Sequence, residues 1–157
     1  MAGPRIRTDV QVMFFDTDCG GVVSNIAYLR FIEIARTHLA EELGLRLAEM
    51  AEKETYPVVV RTEIDYRRPA KLGDRLVIEG WLDQVERVRF WCGFRITRPK
   101  DNMLIAQCRQ TLALLEMPSA KLLRLPEHWQ KYRNDNSVQY PKGECQIGSV
   151  SGEECIE

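Results

Sequence analysis

Residues 16–44, DTDCGGVVSNIAYLRFIEIARTHLAEELG, contain two acids and a double glycine, followed by a long apolar segment. Ser24 or Asn25 is a good N-cap and Gly44 is a good C-terminal stop, so the pattern predicts a helix over 25–44. Because this segment is apolar almost all the way round, we expect the helix to be buried. The two acids then lie just before a helix N-terminus, where free backbone N–H groups can bind an anion or polarise a carbonyl.

The rest of the chain carries the alternating apolar pattern that is typical of β-strands. One strand-like run precedes the loop and four follow the helix, at 10–15, 58–67, 75–85, 88–96 and 104–116. No helix-length segment separates the last four, so they predict an antiparallel meander, with a short helix after it at 126–133. The fold class is therefore α+β, with one long helix against an antiparallel sheet of about five strands.

Composition limits the classes of function that this chain can have. It has 157 residues, of which 45% are hydrophobic, and a net charge of −1. We expect one domain over 1–133 and a polar, flexible tail over 134–157. The near-neutral charge does not favour a nucleic-acid partner. No apolar signal core or membrane-length run is present, so we expect a soluble, cytoplasmic protein without a membrane span.

The cysteines and histidines indicate neither a disulfide framework nor a metal site. Five cysteines are scattered along the chain without a CxxC pair, and His38 and His128 are the only histidines. An even cysteine count or a clustered set of ligands would be needed for those sites. We therefore predict no metal and no cofactor.

Two separated signatures resemble those of the hotdog-fold acyl-CoA thioesterases of the 4-hydroxybenzoyl-CoA thioesterase and YbgC-like family. The first is the D-x-D-x-x-G loop that leads into the helix, and the second is the YRRPA run at 66–70 with LGD at 72–74. The resemblance covers about residues 6–130. It implies a long central helix wrapped by a curved antiparallel sheet. It also implies homodimers joined edge to edge, often paired into homotetramers, with active sites at the dimer interface.

The resemblance implies that the chain hydrolyses the thioester of an acyl- or aroyl-CoA to the free acid and CoA. Asp18 matches the catalytic carboxylate, as nucleophile or general base, while a backbone N–H near Asn25 holds the thioester oxygen. Gly20 and Gly21 allow close approach of the acyl group, and Tyr28 is a further substrate-binding candidate. A thiolate is a good leaving group, because its conjugate acid has a pKa of about 8.5, so a strong general acid is not required.

Asn25 is the main departure from the family, since many YbgC-like members carry a histidine at this place. An asparagine cannot be a base, so Asn25 either orients substrate or water through its amide or serves only as the N-cap. Asp16 likewise either shapes the loop or raises the pKa of Asp18 as a neighbouring like charge. The alternative function is a noncatalytic hotdog module that binds acyl-CoA or an acyl carrier protein.

Basic residues are the candidates for the phosphates of CoA. Arg67 follows the second signature, and Arg87 and Arg89 stand where relatives place basic residues for the nucleotide end. A single helix covers only one face of the sheet, so we also expect Val59, Val77 and Trp81 to point outward and favour a partner surface.

Overall fold

The computed structural model describes residues 3–133, and the predicted tail at 134–157 lies outside the described residues. Its helices and strands are, in chain order, β1 (Arg5–Gln11), α1 (Asn25–Glu42), α2 (Leu47–Lys53), β2 (Thr55–Tyr66), β3 (Arg75–Val85), β4 (Arg89–Arg98), β5 (Met103–Glu116) and β6 (Lys121–Leu122). All strand pairs are antiparallel, in the order β1-β3-β4-β5-β2, with β6 beside β5. This confirms the predicted α+β fold.

The strand order corrects one part of the prediction, because β2 does not pair with β3. Strands β3, β4 and β5 form a meander, whereas β2 pairs with β5 and is an edge of the sheet. The chain between β2 and β3 crosses to the side of β1, where the Val23 N–H donates to Ala70 O at 2.8 Å. The Val12 N–H donates to Asp74 O, also at 2.8 Å, so β3 begins next to β1. These long-range hydrogen bonds are not visible in a local sequence pattern.

The predicted strand at 10–15 is wrong in its bounds. β1 ends at Gln11, and Phe14–Asp16 forms a 3₁₀ turn in which the Asp16 carboxylate accepts the Met13 N–H at 2.8 Å. Asp16 favours this turn because a short acidic side chain can satisfy nearby backbone donors. As a result Phe14 and Phe15 are 81% and 70% exposed instead of continuing the strand.

The sequence predicted that helix α1 is buried almost all the way round, and this prediction is wrong. One face packs on the sheet through Ala27, Tyr28, Phe31, Ile32, Ala35 and Leu39. The opposite face is open, and Ile26 is 73% exposed. The polar connection after α1 contains a second helix, α2, and the short helix predicted at 126–133 is a 3₁₀ segment, Glu127–Tyr132.

Of the three residues expected to point outward, Val59 packs against the buried core instead. Val77 and Trp81 do lie on the face of the sheet away from α1, as expected, but they are only 4% and 6% exposed. The Arg5 guanidinium lies 5.6 Å from the centroid of the Trp81 ring. Long side chains can cover apolar surface with their stems, so this face is covered within the chain itself.

Candidate active site

The loop between β1 and α1 holds Asp18 at the protein surface. The Asp18 N–H donates to Val22 O at 3.0 Å and the Gly21 N–H donates to Asp18 O at 2.9 Å, which closes a tight turn. The Gly20 N–H donates to Asp18 Oδ1 at 2.9 Å. Among the described residues, Asp18 Oδ2 has no hydrogen-bond partner and the side chain is exposed. One carboxylate oxygen is therefore held by the loop and the other is free to react.

Of the two adjacent glycines, only Gly21 is required by its backbone conformation. Gly21 has a φ of +71°, in the left-handed region that residues with a side chain rarely adopt. No atom would lie within 4 Å of a Cβ at Gly21, so the requirement comes from the backbone angle. At Gly20 a Cβ would meet Asp18 Oδ1 at 3.2 Å. The loop thus stays open to an incoming group on the side of Gly21.

Asp16, two residues before Asp18, has a different environment. It is 1% exposed, and its carboxylate accepts the Met13 N–H and pairs with the Arg30 guanidinium. The Asp16 carbonyl accepts the Ser24 N–H at 2.9 Å. A buried charge needs partners of this kind, and here they tie both ends of the loop together. These contacts favour the structural alternative for Asp16.

The N-terminus of α1 leaves backbone donors for a ligand. Ser24 is the N-cap, and its hydroxyl accepts the Ala27 N–H at 3.3 Å, so the interpretation of Asn25 as the N-cap is wrong. The Tyr28 N–H donates to Ser24 O. The first N–H groups of a helix have no partner within the helix. Within residues 3–133 the amides of Asn25 and Ile26 have none elsewhere either.

A cavity of about 330 Å³ opens beside this helix end. Its walls come from the loop, the helix and the end of β2: Val22, Val23, Asn25, Tyr28, Tyr66, Arg67, Arg68 and Pro69. The rings of Tyr28 and Tyr66 are 5.4 Å apart between centroids and are tilted by 52°. Burial raises the pKa of both tyrosines, so their hydroxyls are neutral near pH 7. The cavity can hold an apolar or aromatic group next to free backbone donors.

Three of the predicted residues line the cavity, and three others lie in the loop next to it. Asn25, Tyr28 and Arg67 line the cavity, and Asp18, Gly20 and Gly21 form the loop that continues from Val22. The Arg67 N–H donates to Ile105 O at 2.8 Å, which ties the end of the second signature's strand to β5. The loop, the helix N-terminus and the second signature therefore meet at one end of the sheet.

Arg87 and Arg89 do not join this group in a single chain. Both are exposed, and Arg89 pairs with Ala113, which in turn pairs with Val58 of β2. Tyr66 lies at the other end of β2, so the strand rise of about 3.3 Å per residue separates the two positions by roughly 25 Å. Neither arginine lines the cavity of its own chain.

The sequence analysis missed some residues that shape the cavity. Tyr66 and Pro69 were noted only as part of the second signature, although they form the wall opposite α1. The signal for Tyr66 was its place at the end of the strand, directly before two arginines. Arg98 was not singled out, yet its Nη1 donates to Pro69 O at 3.2 Å. It lies far along the chain, so no local pattern indicates this contact.

The part of the chain that the structure describes contains no helix long and apolar enough to cross a membrane. Residues 3–133 likewise contain no group of three or more His, Cys, Asp or Glu side chains arranged to hold a metal ion.

Comparison with known proteins points to one family. A family model described as the thioesterase-like superfamily matches residues 12–132. The acyl-CoA thioesterase YbgC of Haemophilus influenzae is 30% identical over 119 residues, which cover 75% of this chain and 86% of that protein. The acyl-CoA thioester hydrolase YbgC of Escherichia coli O6:H1 is 39% identical over 99 residues, covering 62% and 73%. A crystal structure of a 1,4-dihydroxy-2-naphthoyl-CoA thioesterase from Synechocystis has a TM-score of 0.73 at 26% identity, and the match covers 88% of this chain and 100% of that one.

Proposed function

Because this chain belongs to the thioesterase-like superfamily and is a thioester hydrolase, we propose that it hydrolyses acyl- or aroyl-CoA thioesters with Asp18 as the reacting carboxylate. The observation that carries this proposal is the free N-terminus of α1, which lies at an apolar cavity and directly follows the loop that holds the exposed Asp18. A carboxylate that attacks or activates water, next to donors for a developing negative charge, is what acyl transfer requires.

The proposed reaction uses these groups in turn. The acyl group enters the cavity lined by Tyr28 and Tyr66, and its carbonyl oxygen accepts hydrogen bonds from the free amides at the start of α1. Asp18 attacks the carbonyl carbon directly as a nucleophile, or takes the proton from an attacking water as a general base. The C–S bond then breaks and CoA leaves as a thiolate. In the direct route, water afterwards hydrolyses the acyl–Asp18 anhydride.

We further propose that a second copy of the chain completes the site. Strand β2 is an edge of the sheet, with backbone donors and acceptors available for another strand. Two copies paired antiparallel along β2 would place the Val58 end of one beside the Tyr66 end of the other. Arg89 of the second copy would then approach the cavity and be available for the phosphates of CoA. Pairing of two such dimers gives the homotetramer expected from the resemblance.

Substitution of Asp18 tests the role of the carboxylate. Release of CoA thiol is measured over a panel of aromatic, short-chain and long-chain acyl-CoAs, for wild type, Asp18→Asn and the matched control Asp9→Asn. Asp9 is an exposed acid on β1, away from the cavity. We expect Asp18→Asn to lose about 100-fold or more in kcat/KM, since acid–base or nucleophilic groups contribute about that much. Asp9→Asn should equal wild type.

Two other outcomes would contradict parts of the proposal. Equal activity of Asp18→Asn and wild type would exclude Asp18 as the reacting group. Binding of acyl-CoA by wild type without turnover of any panel member would contradict the proposed hydrolysis and would support a noncatalytic binding module instead.

A pair of substitutions at Asn25 separates its backbone N–H from its side chain. Asn25→Pro removes the N–H, and proline is tolerated at the first helical position when the preceding residue is extended. Ser24 has φ −70° and ψ 155°, so the helix start accepts proline. We expect Asn25→Pro to lose about 100-fold in kcat, as for loss of an oxyanion donor, and Asn25→Ala to lose far less. Equal losses would assign the effect to the side chain.

A further inference from the structure

The segment 67–71 is the surface on which the Asp18 loop and the start of α1 rest. The Val23 N–H donates to Ala70 O at 2.8 Å, and Val22 forms a β-bridge with Lys71. The Tyr28 hydroxyl accepts the Ala70 N–H at 3.3 Å, and Ala70 is fully buried. Val22 in turn accepts the Asp18 N–H. The position of Asp18 therefore depends on where this segment lies.

Arg98, near the end of β4, holds the segment from the other side. Its Nη1 donates to Pro69 O at 3.2 Å and to Asp74 Oδ2 at 2.9 Å. Its Nε and Nη2 donate to the Asp101 carboxylate at 3.0 and 2.7 Å. The guanidinium is thus engaged on both of its edges, and the side chain is 15% exposed. Such an arginine is held in place and is not available to bind a phosphate.

Asp74 links Arg98 to the same segment by a second route. Its Oδ2 accepts the Lys71 N–H at 3.0 Å and its Oδ1 accepts Lys100 Nζ at 2.9 Å. The Asp74 side chain is 7% exposed. With Pro69 O on one side and the Lys71 N–H on the other, the Arg98–Asp74 pair fixes the two residues that flank Ala70.

We propose that Arg98 is a positioning residue for catalysis, which fixes Asp18 and the free amides of α1 through Pro69, Asp74 and Ala70. This inference rests on the proposed function. Arg98 does not touch the substrate, and its contribution is the placement of groups that do. Placement errors of about 1 Å at reacting groups can cost about 100-fold in rate, so a network of this kind has a measurable effect on kcat.

The test compares three substitutions on the same strand. Arg98→Met keeps much of the side-chain length and removes every donor, Arg98→Lys keeps the charge and part of the donor set, and Arg95→Met is the matched control. Arg95 lies on β4 three positions earlier and is exposed. We expect Arg98→Met to lower kcat about 10- to 100-fold with a smaller change in KM, and Arg98→Lys to recover part of the loss. Arg95→Met should leave both constants at wild-type values.

Amide hydrogen exchange gives a second measurement that needs no substrate. In Arg98→Met the peptide covering 16–28 should exchange about tenfold faster or more, while the β5 peptide at 104–116 keeps its wild-type protection. Faster exchange with unchanged kcat would overturn the role in catalysis, and unchanged exchange at 16–28 would overturn the mechanical link. Because exchange is independent of turnover, this result stands even if Asp18 proves not to be the reacting group.

Milder substitutions keep the test decisive if Arg98→Met does not fold. Asp101→Asn removes the charge on the outer partner of Arg98 and leaves the contacts to Pro69 and Asp74 possible. We expect a smaller loss of kcat in the same direction, with faster exchange at 16–28. If Arg98→Met does not fold, Arg98→Lys is decisive in its place: a folded Arg98→Lys protein with wild-type kcat and wild-type exchange would overturn the proposal, because a lysine cannot make all the contacts to Pro69, Asp74 and Asp101 at once.

Discussion

Both ends of helix α1 have backbone groups without partners in the helix, and the two ends differ in what pairs with those groups. At the C-terminal end the indole N–H of Trp129 donates to Leu43 O at 3.2 Å, and Trp129 is 1% exposed. At the N-terminal end the amides of Asn25 and Ile26 have no partner within residues 3–133 and lie beside a cavity. Both ends of any helix have backbone groups without intrahelical partners. At the C-terminal end Trp129 and backbone N–H groups pair with the carbonyls, whereas the two amides at the N-terminal end have no partner among the described residues.

This difference predicts that the stability of the fold depends on the C-terminal end of α1 and that turnover depends on its N-terminal end. Trp129 packs edge-on against Phe90, with ring centroids 5.1 Å apart, and closes the core over the end of α1. At the other end the loop is exposed, and its apolar residues Phe14 and Phe15 contribute little burial. We therefore expect substitutions at the closed end to change the free energy of unfolding and those at the open end to change turnover.

The largest effect is expected at Trp129. Trp129→Ala removes a fully buried ring, so it should lower the free energy of unfolding by about 3–5 kcal/mol. The matched control is His128→Ala, an exposed neighbour that should change it by less than about 0.5 kcal/mol. Urea denaturation measures both. Turnover per folded molecule of Trp129→Ala, measured at low temperature, should be that of wild type; a loss of activity without unfolding would break the comparison.

Tyr28 connects the N-terminal end of α1 to the core. Its substitution should lower the free energy of unfolding by less than Trp129→Ala does. Tyr28→Phe leaves the buried Ala70 N–H without its acceptor, at a cost of about 1–3 kcal/mol. Tyr66→Phe is the control, because the Tyr66 side chain is half exposed and the change should cost less than about 0.5 kcal/mol. Urea denaturation of the two variants under the same conditions measures both losses of unfolding free energy. Equal costs would mean that the Ala70 contact contributes nothing.

Acid should weaken the hydrogen bonds that Asp74 accepts near the N-terminal end of α1. Burial alone would raise the pKa of Asp74, but hydrogen bonds from Lys100, the Lys71 backbone and Arg98 together lower it to about 2. A carboxylate with a lowered pKa stabilises the fold above its unfolded-state pKa, and this contribution is lost as pH falls from about 4 towards 2. Because Lys100 is largely exposed and screened, we expect the loss to be about 1–2 kcal/mol.

Unfolding free energies measured between pH 5 and pH 2 test this dependence. Asp74→Asn should be less stable at pH 5 and should lose about 1–2 kcal/mol less than wild type on acidification. If wild type and Asp74→Asn show the same decline, other carboxylates account for it.

The smallest stability effect compares one glycine at each end of α1. Gly21 and Gly44 have φ angles of +71° and +82°, and a Cβ at either would meet no atom within 4 Å. Gly21→Ala and Gly44→Ala should therefore each cost about 1 kcal/mol of backbone strain. Only Gly21→Ala should also lower kcat, since Gly21 shares a turn with Asp18. Equal effects of the two substitutions on kcat would remove the distinction between the ends.

Much of the local structure could be predicted from the sequence. The start of α1 at Asn25 follows from the Ser24 cap, and the strand predicted at 75–85 has the bounds found for β3, because capping and alternation depend on neighbouring residues. The strand predicted at 10–15 failed because the Asp16 side chain closes a turn there, which the apolar pattern does not reveal. The open face of α1 was missed because apolar content alone does not tell which face meets the sheet.

The candidate site also has one part that could be predicted from the sequence and one part that could not. The loop from Asp18 to Gly21 and the helix start are contiguous in sequence, so their proximity was predictable. The opposite wall, from Tyr66 to Pro69, depends on the crossing of the chain between β2 and β3 and on the pairing of β2 with β5. The order of the sheet is set by hydrogen bonds and packing between distant segments, and the sequence predicted a different neighbour for β2.

By itself, the sequence of this protein determined a local arrangement: an acid, a flexible turn and a helix start in one short run. Only the tertiary structure decided that Asp16 is buried while Asp18 is exposed, and that Trp129 closes one end of α1. It also decided that Arg98 holds the wall of the cavity. The physical reason is range: caps, turns and periodicity act over a few residues, whereas burial and charge pairing depend on residues that meet only after the chain has folded.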